Sequence, residues 1–516
     1  MIARRVTSRC LASTRLAARV AARALMLTLS LACQDAGPDA ASASRPKLAI
    51  FGIDGATFGV IDPLLAQGRL PHLAALIEAG TRMPLLSNED DGSPVLWATI
   101  LTGVSKQRHG ILGFSRRQGE QMVTYRSSDR RAPALWNMVS TRGGTVGVAG
   151  FLNTWPAEPV SGWLVSDRFQ ASKRATRGAY GDGSAVTWPE PLMHELAHLW
   201  RDPDALTREE LLPWARFSDA EWQMLLTRDH EARPVRGNGF VNLKFAWAAT
   251  HSVAQVTEHL LATREQPDLV LAYLELPDRV GHSFWPFWQP DAVRDRASLD
   301  HDRVERFGGL VPGSYEVVDA LIGRMLAQLD PDTTVFVVSD HGMRSGGGSG
   351  YDADEPLNVG RGAQHDRQGV LIASGPAIRP GAVAAAELLD IAPTVLAALG
   401  LPGSRQTEGR VLDELLAPGF VARHPQGPAL LEPPLRRREL ALPEGVDDAY
   451  LRQFQAMGYI GGDGQELDWQ GAQHAAKEGA SHDGREGSQR GAGGSTQHGP
   501  DGSAGHDHDE GTRDQR

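Results

Sequence analysis

The stretch Lys47-Leu48-Ala49-Ile50-Phe51-Gly52-Ile53-Asp54-Gly55 decides how this chain folds. Its run from Lys47 to Ile53 is short, apolar and closed by a turn signal, which reads as a buried β-strand. An aspartate follows at once, so the strand delivers a carboxylate to its carboxyl end before Gly55 turns the chain. The pattern recurs. The run Leu269–Leu276 leads into Asp278, and Thr333–Val338 leads through Ser339 into Asp340. A fourth run covers Gly369–Ser374. Helical periodicity is expected over Leu70–Gly80, with Gly80 as a C-cap, over Tyr315–Leu329 and over Ala385–Gly400. Strands alternating with helices predict a layered α/β fold with a mostly parallel sheet. Ligands in such sheets bind beyond the carboxyl ends of the strands. One aspartate there would read as a helix cap; three at the same level read as a site.

Working outward, the chain has 516 residues, 41% hydrophobic and 22% charged, enough for one large or two medium domains. Its formal net charge of -11 argues against binding of nucleic-acid duplexes, which needs a basic face. It leaves a phosphate-bearing substrate open, because bound cations reverse the local field. The two cysteines, Cys10 and Cys33, both lie near the start, so the body is expected to hold no disulfide and no thiolate metal site.

Residues 1–33 are arginine-rich and acid-free, and they close on the apolar run Ala24–Ala32 and Cys33. This reads as a secretory signal, too short to span a bilayer as a mature helix. Cys33 resembles a lipobox cysteine, which implies membrane attachment through lipidation. Ordinary cleavage near Ala32 or Ala36, or a transit peptide, is the other reading. An exported protein, periplasmic or on the cell surface, is expected. Residues 34–46 read as a tether. The irregular, Trp- and Arg-rich region of about 115–265, with helical stretches at Glu190–Leu199 and Phe240–Leu261, reads as a cap inserted on a core spanning 47–415. A C-terminal extension (416–461) and a Gly/His/Asp/Ser-rich tail (462–516) with little apolar content follow. His506 and His508 in that tail read as solvated.

The chemistry lies in the strand ends. Asp340 and His341 are adjacent and can reach one cation. Asp278 and His282 are four apart, which puts both on one helix face, with Pro277 placed to start that helix. His365 is a lone histidine in a Gly-rich loop. Taken together, one ion could take Asp54, Asp340, His341 and the Ser93 hydroxyl, and a second could take Asp278, His282 and His365. Asp and His suit two divalent ions, zinc or alternatively manganese. Such ions about 4 Å apart clamp the attacking and leaving oxygens of an in-line displacement. Ser93 is the candidate nucleophile; Thr99 and Thr102 are weaker candidates. Trp97 reads as packing for the helix after Ser93 more than as a substrate contact, and His109 as a turn residue. Arg108 could meet a phosphate. The stretch Phe284-Trp-Pro-Phe-Trp288 could wall a pocket or fill the core.

These residues resemble the alkaline phosphatase superfamily and, within it, the type I phosphodiesterase/nucleotide pyrophosphatase-like branch. The resemblance covers about residues 47–415. It is carried by Gly-Ile-Asp54-Gly, Ser93-Pro-Val-Leu-Trp97 through Thr102-Gly103, His109-Gly-Ile, Pro-Asp278-Arg-Val-Gly-His282, Ser-Asp340-His341-Gly, and His365 followed by Gly-Val-Leu-Ile-Ala-Ser-Gly-Pro. It implies a three-layer α/β/α sandwich, two divalent ions at the sheet's carboxyl edge, and a covalent phosphoseryl intermediate on Ser93, which stands nine residues before Thr102. The implied substrate is a phosphate ester, a diester or pyrophosphate ahead of a monoester. Transfer of a phospho-headgroup to an alcohol is an alternative, and a non-catalytic surface lipoprotein is the reading from another class.

Two departures qualify the resemblance. Serine stands where many diesterases carry threonine, which keeps the chemistry. More consequentially, Pro94 lacks the backbone N–H that supports the phosphoryl oxygen in studied diesterases, and the asparagine that follows there is absent. Oxyanion support must come from the metals or elsewhere. A formylglycine-type sulfatase needs Cys/Ser-x-Pro-x-Arg, which Ser93-Pro-Val-Leu-Trp97 does not provide.

Overall fold

The computed structural model describes residues 45–87, 91–169, 185–226, 239–293, 299–346, 363–382 and 385–423, with Asp447 and Leu451. The expected signal with Cys33, all but the end of the tether, and the tail with His506 and His508 lie outside the described residues. Among the described residues, no helix is long and apolar enough to cross a membrane.

Thirteen strands are described: β1 Lys47–Ile53, β2 Thr81–Leu86, β3 Ser115–Gln118, β4 Gln121–Thr124, β5 Val146–Ala149, β6 Gly162–Val165, β7 Thr187–Trp188, β8 Leu269–Leu274, β9 Thr333–Val338, β10 Gly342–Ser345, β11 Ala363–Asp366, β12 Gln368–Ser374 and β13 Ala386–Glu387. Nine form the central sheet, in the order β13-β2-β12-β9-β1-β8-β5-β6-β7. The middle, β9-β1-β8-β5-β6, is parallel throughout. Strand β12 runs antiparallel to both β9 and β2, and β7 antiparallel to β6. The sheet is thus mostly parallel, as expected.

Strand β1 shows why three layers form. Its residues are almost wholly buried on both faces, which suits the centre of a parallel sheet. Because side chains alternate along a strand, Ala49, Phe51 and Ile53 enter one apolar cluster while Leu48 and Ile50 enter the other. The first cluster is covered by the helices Phe58–Ala66, Pro71–Ala79, Gly239–Thr263, Leu276–Trp288 and Leu310–Leu326. The second is covered by Ser93–Thr102, Leu135–Thr141 and Ile391–Ala398. The result is an α/β/α sandwich.

The region 115–265 is not a cap set on a finished core. It supplies β5, β6 and β7 to the central sheet, and Gly239–Thr263 packs against the sheet. Strands of two to four residues holding glycine or tryptophan produce no recognisable apolar run, which accounts for the irregular sequence pattern. The expected helix over 385–400 is also shorter. Its first residues form β13, Asp390 accepts the Glu387 N–H at 3.1 Å, and the helix starts at Ile391. At the other boundary, Leu415 and Leu416 are buried in the second cluster. Farther on, Asp447 is buried against Arg168 at 3.0 Å and against Arg126.

Candidate active site

Three strand ends converge. Asp54 follows β1, Asp278 lies in the first turn of Leu276–Trp288 just after β8, and Asp340 and His341 follow β9. All four are buried. Gly55 makes the convergence possible. Its φ is +67°, and a Cβ there would lie 2.9 Å from Asp278 Cβ. Ser339 stitches two of the loops, accepting the Ala56 N–H at 2.8 Å and donating to His341 O at 2.6 Å. Helical spacing brings His282 back onto Asp278, with Nε2 3.2 Å from Oδ1. His365 arrives on β11, which pairs antiparallel with β10, its Nε2 3.1 Å from His282 Nε2 and 3.7 Å from Asp278 Oδ1.

Ser93 opens the helix Ser93–Thr102 and is buried. Its Oγ lies 3.3 Å from Asp54 Oδ1 and 3.3 Å from His341 Nε2. All seven sequence-derived site residues, Asp54, Ser93, Asp278, His282, Asp340, His341 and His365, therefore meet in one place. His365 is the least buried of the three site histidines, with 22% of its side chain exposed, and so marks the open side.

Three carboxylates and three imidazoles with little solvent hold their charges in an unusual pattern. Burial, then the Asp54 carboxylate, pushes Asp340 well above the usual range. Burial would raise Asp278 too, but His282, His341 and His365 around it hold it below. Burial would lower His341, yet Asp340, Asp54 and Asp278 lift it to about 10. Burial, then His341 and His282, keeps His365 well below its ordinary value.

A divalent pair fits these residues. Asp340 Oδ2 is buried and accepts no hydrogen bond among the described residues, a costly state unless a cation faces it. The donor atoms of Asp54, Asp340 and His341 lie within 4.8 Å of one another, as do those of Asp278, His341 and His365. His341 thus borders both sets. The first set matches the one read from the sequence. In the second, His282 stands within 3.2 Å of both Asp278 and His365.

The remaining candidates fall elsewhere. Thr99 donates to Val95 O at 2.9 Å and Thr102 to Ala98 O at 2.6 Å, so both hydroxyls are used within their helix. His109 is buried at a turn, accepting the Ile111 N–H at Nδ1. Arg108 pairs with Glu408 at 3.1 Å. Phe284 and Phe287 pack against Phe307 in the core. Trp97 is buried, but its indole also reaches Asp54 Oδ2 at 3.4 Å. Sequence reasoning passed over Tyr273, whose hydroxyl donates to the same oxygen, and Ser339. The one available signal for Tyr273 was a hydroxyl-bearing ring near the end of a strand that feeds the site.

The chain is similar to human ectonucleotide pyrophosphatase/phosphodiesterase 5 (13% identity, TM-score 0.40, covering 72% of this chain and 99% of that one). It is also similar to the alkaline phosphatase PafA (12% identity, TM-score 0.46, covering 73% and 100%). A stretch of 179 residues is 27% identical to the catalytic subunit of GPI ethanolamine phosphate transferase 3 of Mus musculus; it spans 34% of this chain and 14% of that protein. Residues 48–395 match the family described as type I phosphodiesterase / nucleotide pyrophosphatase, and the chain belongs to that family.

Proposed function

We propose that this chain is a metal-dependent hydrolase of phosphate esters, acting on diester or pyrophosphate bonds through a phosphoserine on Ser93. The observation that carries the reading is the position of Ser93 Oγ, 3.3 Å from both Asp54 Oδ1 and His341 Nε2 at the meeting point of two ligand sets. Asp54, Asp340 and His341, with the Ser93 hydroxyl, would hold one ion; Asp278, His282 and His365 would hold the other. Such a pair, zinc or manganese, lowers the pKa of a neighbouring hydroxyl and neutralises charge on the phosphoryl oxygens.

The chain's own groups do the rest. Asp54 Oδ1 accepts the Ser93 hydroxyl and aims its oxygen. Oγ gives up its proton and attacks phosphorus, the bond to the leaving oxygen breaks and that oxygen takes up a proton, and water later cleaves the phosphoserine, its hydroxyl staying on phosphorus and its hydrogen restoring Oγ–H. Ser93 sits at a helix N-terminus, which favours an anion. Backbone help is limited, because Pro94 has no N–H and the Val95 and Leu96 amides both bond Gly92 O. Electrostatic support for the transition state therefore falls mainly to the ions.

A second reading is phospho-headgroup transfer, in which an alcohol takes the phosphoryl group from Ser93. The likeness to an ethanolamine phosphate transferase favours it. A monoesterase of the same fold is a further variant. The composition of residues 1–33 supports export, with Cys33 as an attachment point. Hydrolysis of an aryl phosphodiester, a phosphomonoester and a sulfate ester by zinc- or manganese-loaded protein, beside Ser93→Ala, tests the class. Diester turnover that Ser93→Ala abolishes is the expected result. Faster monoester turnover moves the reading to a phosphatase. Metal-loaded protein inert to every ester, with or without an acceptor alcohol, would overturn it.

A further inference from the structure

The two oxygens of Asp54 have different neighbours. Oδ1 faces Ser93 Oγ and His341 Nε2, both at 3.3 Å. Oδ2 faces away and receives two donors, the Tyr273 hydroxyl and the Trp97 indole N–H. Tyr273 stands on β8 beside Gly52 of β1 in the parallel register, two residues before Asp54. Gly52 is the cradle for this arrangement. A Cβ there would lie 2.8 Å from the Trp97 ring and 3.1 Å from the Phe151 ring. Glycine inside a strand is unfavourable unless something must come close, and here two rings do. Trp97 meets Phe151 and Tyr273 edge to face at 5.4 Å each, and Phe151 meets Tyr273 at 5.5 Å. The rings are buried, so the two donors have fixed directions.

We propose that Tyr273, assisted by Trp97, is a positioning residue that fixes which oxygen of Asp54 faces the nucleophile and the Asp54–Asp340–His341 ligand set. With Oδ2 engaged by two donors, the carboxylate cannot rotate and can offer only Oδ1 to an ion. Oδ1 therefore serves both the ion and the Ser93 hydroxyl from one orientation. Partners of this kind behind a ligand are worth about 10–100-fold in metal affinity or activity. The proposal rests on the dimetal reading of the site, and its test is read by metal binding rather than by turnover alone.

Zinc is titrated into the metal-stripped full chain in competition with a chromophoric chelator, for wild type, Tyr273→Phe and Phe151→Leu. Tyr273→Phe keeps the ring and removes only the hydroxyl. It is expected to weaken one of the two zinc ions about 10–100-fold, leave the other unchanged, and regain turnover at saturating zinc. Phe151→Leu disturbs the same ring cluster without removing a bond to Asp54; it should lower Tm and cost clearly less zinc affinity than Tyr273→Phe. If Tyr273→Phe does not fold, Trp97→Phe decides, with a smaller loss at the same ion. Wild-type zinc affinity in the folded variants, or an equal loss in Phe151→Leu, overturns the proposal. A chain that binds two zinc ions, loses one in Tyr273→Phe and turns over no ester would leave the positioning role standing and remove the hydrolase reading.

Discussion

His341 stacks on His365, ring centroids 3.6 Å apart and planes 19° from parallel. The two candidate ligand sets therefore share a wall. Two imidazoles this close do not both carry charge at low cost, and the carboxylates decide which one does. Three of them raise His341, while burial and the two neighbouring imidazoles lower His365. His365 thus offers a neutral ring nitrogen, the form a cation binds, whereas His341 would give up its proton on binding an ion.

Removing His365 should strip one set and spare the other. His365→Ala leaves Asp54, Asp340 and His341 in place, so metal content should fall from about two ions per chain to about one, and diester turnover by more than about 100-fold, beyond the range of outer partners. Elemental analysis of the purified variant beside its activity checks this. Unchanged stoichiometry would remove His365 from the ligand set.

Gly55→Ala tests whether backbone conformation sets the site. The positive φ costs a non-glycine residue about 1–2 kcal/mol, and the new Cβ would press on Asp278 Cβ at 2.9 Å. Asp278 belongs to the second set, so that ion should weaken while the protein stays folded. Thermal melts with and without zinc are the measurement. The variant should melt lower than wild type and gain less from zinc; an equal zinc gain would show that Asp278 had not moved.

The buried pair behind Asp278 carries another expectation. Arg279 bonds Glu275 at 2.9 Å, and Asn242 donates to Arg279 O at 3.1 Å. Both charged side chains are nearly inaccessible, 5% and 8% exposed. Arg279→Met leaves a buried carboxylate alone and should cost about 3–5 kcal/mol. The double variant Arg279→Met, Glu275→Leu should recover most of it. Denaturant midpoints for the three proteins decide, and a double variant no better than the single one would refute the pairing argument.

The site was more legible than the sheet that carries it. Asp54, Asp278 and Asp340 could be found because each follows a six- or seven-residue apolar run, and burial on both faces of a parallel sheet writes such runs directly into sequence. His282 came with them, since an i, i+4 pair on a helix is local. β5, β6 and β7 left no comparable trace. They are short, and the strand that ties them to the sheet, β5, pairs with β8 more than a hundred residues away. Tyr273 was hidden for a different reason. Its ring looks like any core aromatic, and only the fold reveals that its hydroxyl ends at Asp54. Function at a strand end is readable; a group that acts through another residue is not.

His109 gives the last prediction, one that separates fold stability from the metal site. It is fully buried, and its tautomer is fixed from both sides. Nδ1 accepts the Ile111 N–H at 3.1 Å, so Nε2 carries the hydrogen and meets Thr99 Oγ1 at 3.2 Å, while Thr99 donates onward to Val95 O. Burial, then the nearby Arg130 guanidinium, lowers its pKa from 6.5 to about 4. The unfolded chain therefore binds a proton first as pH falls. The stability His109 contributes is whole above about pH 6.5 and is lost progressively down to about pH 4, a change of about 3 kcal/mol. His109→Gln keeps a polar side chain without that titration. Between pH 7.5 and pH 4, wild type should lose about 3 kcal/mol more than His109→Gln by denaturant titration. Titration of the site carboxylates and imidazoles is common to both proteins and cancels in the difference. Parallel stability curves would show that the imidazole is not held neutral in the fold.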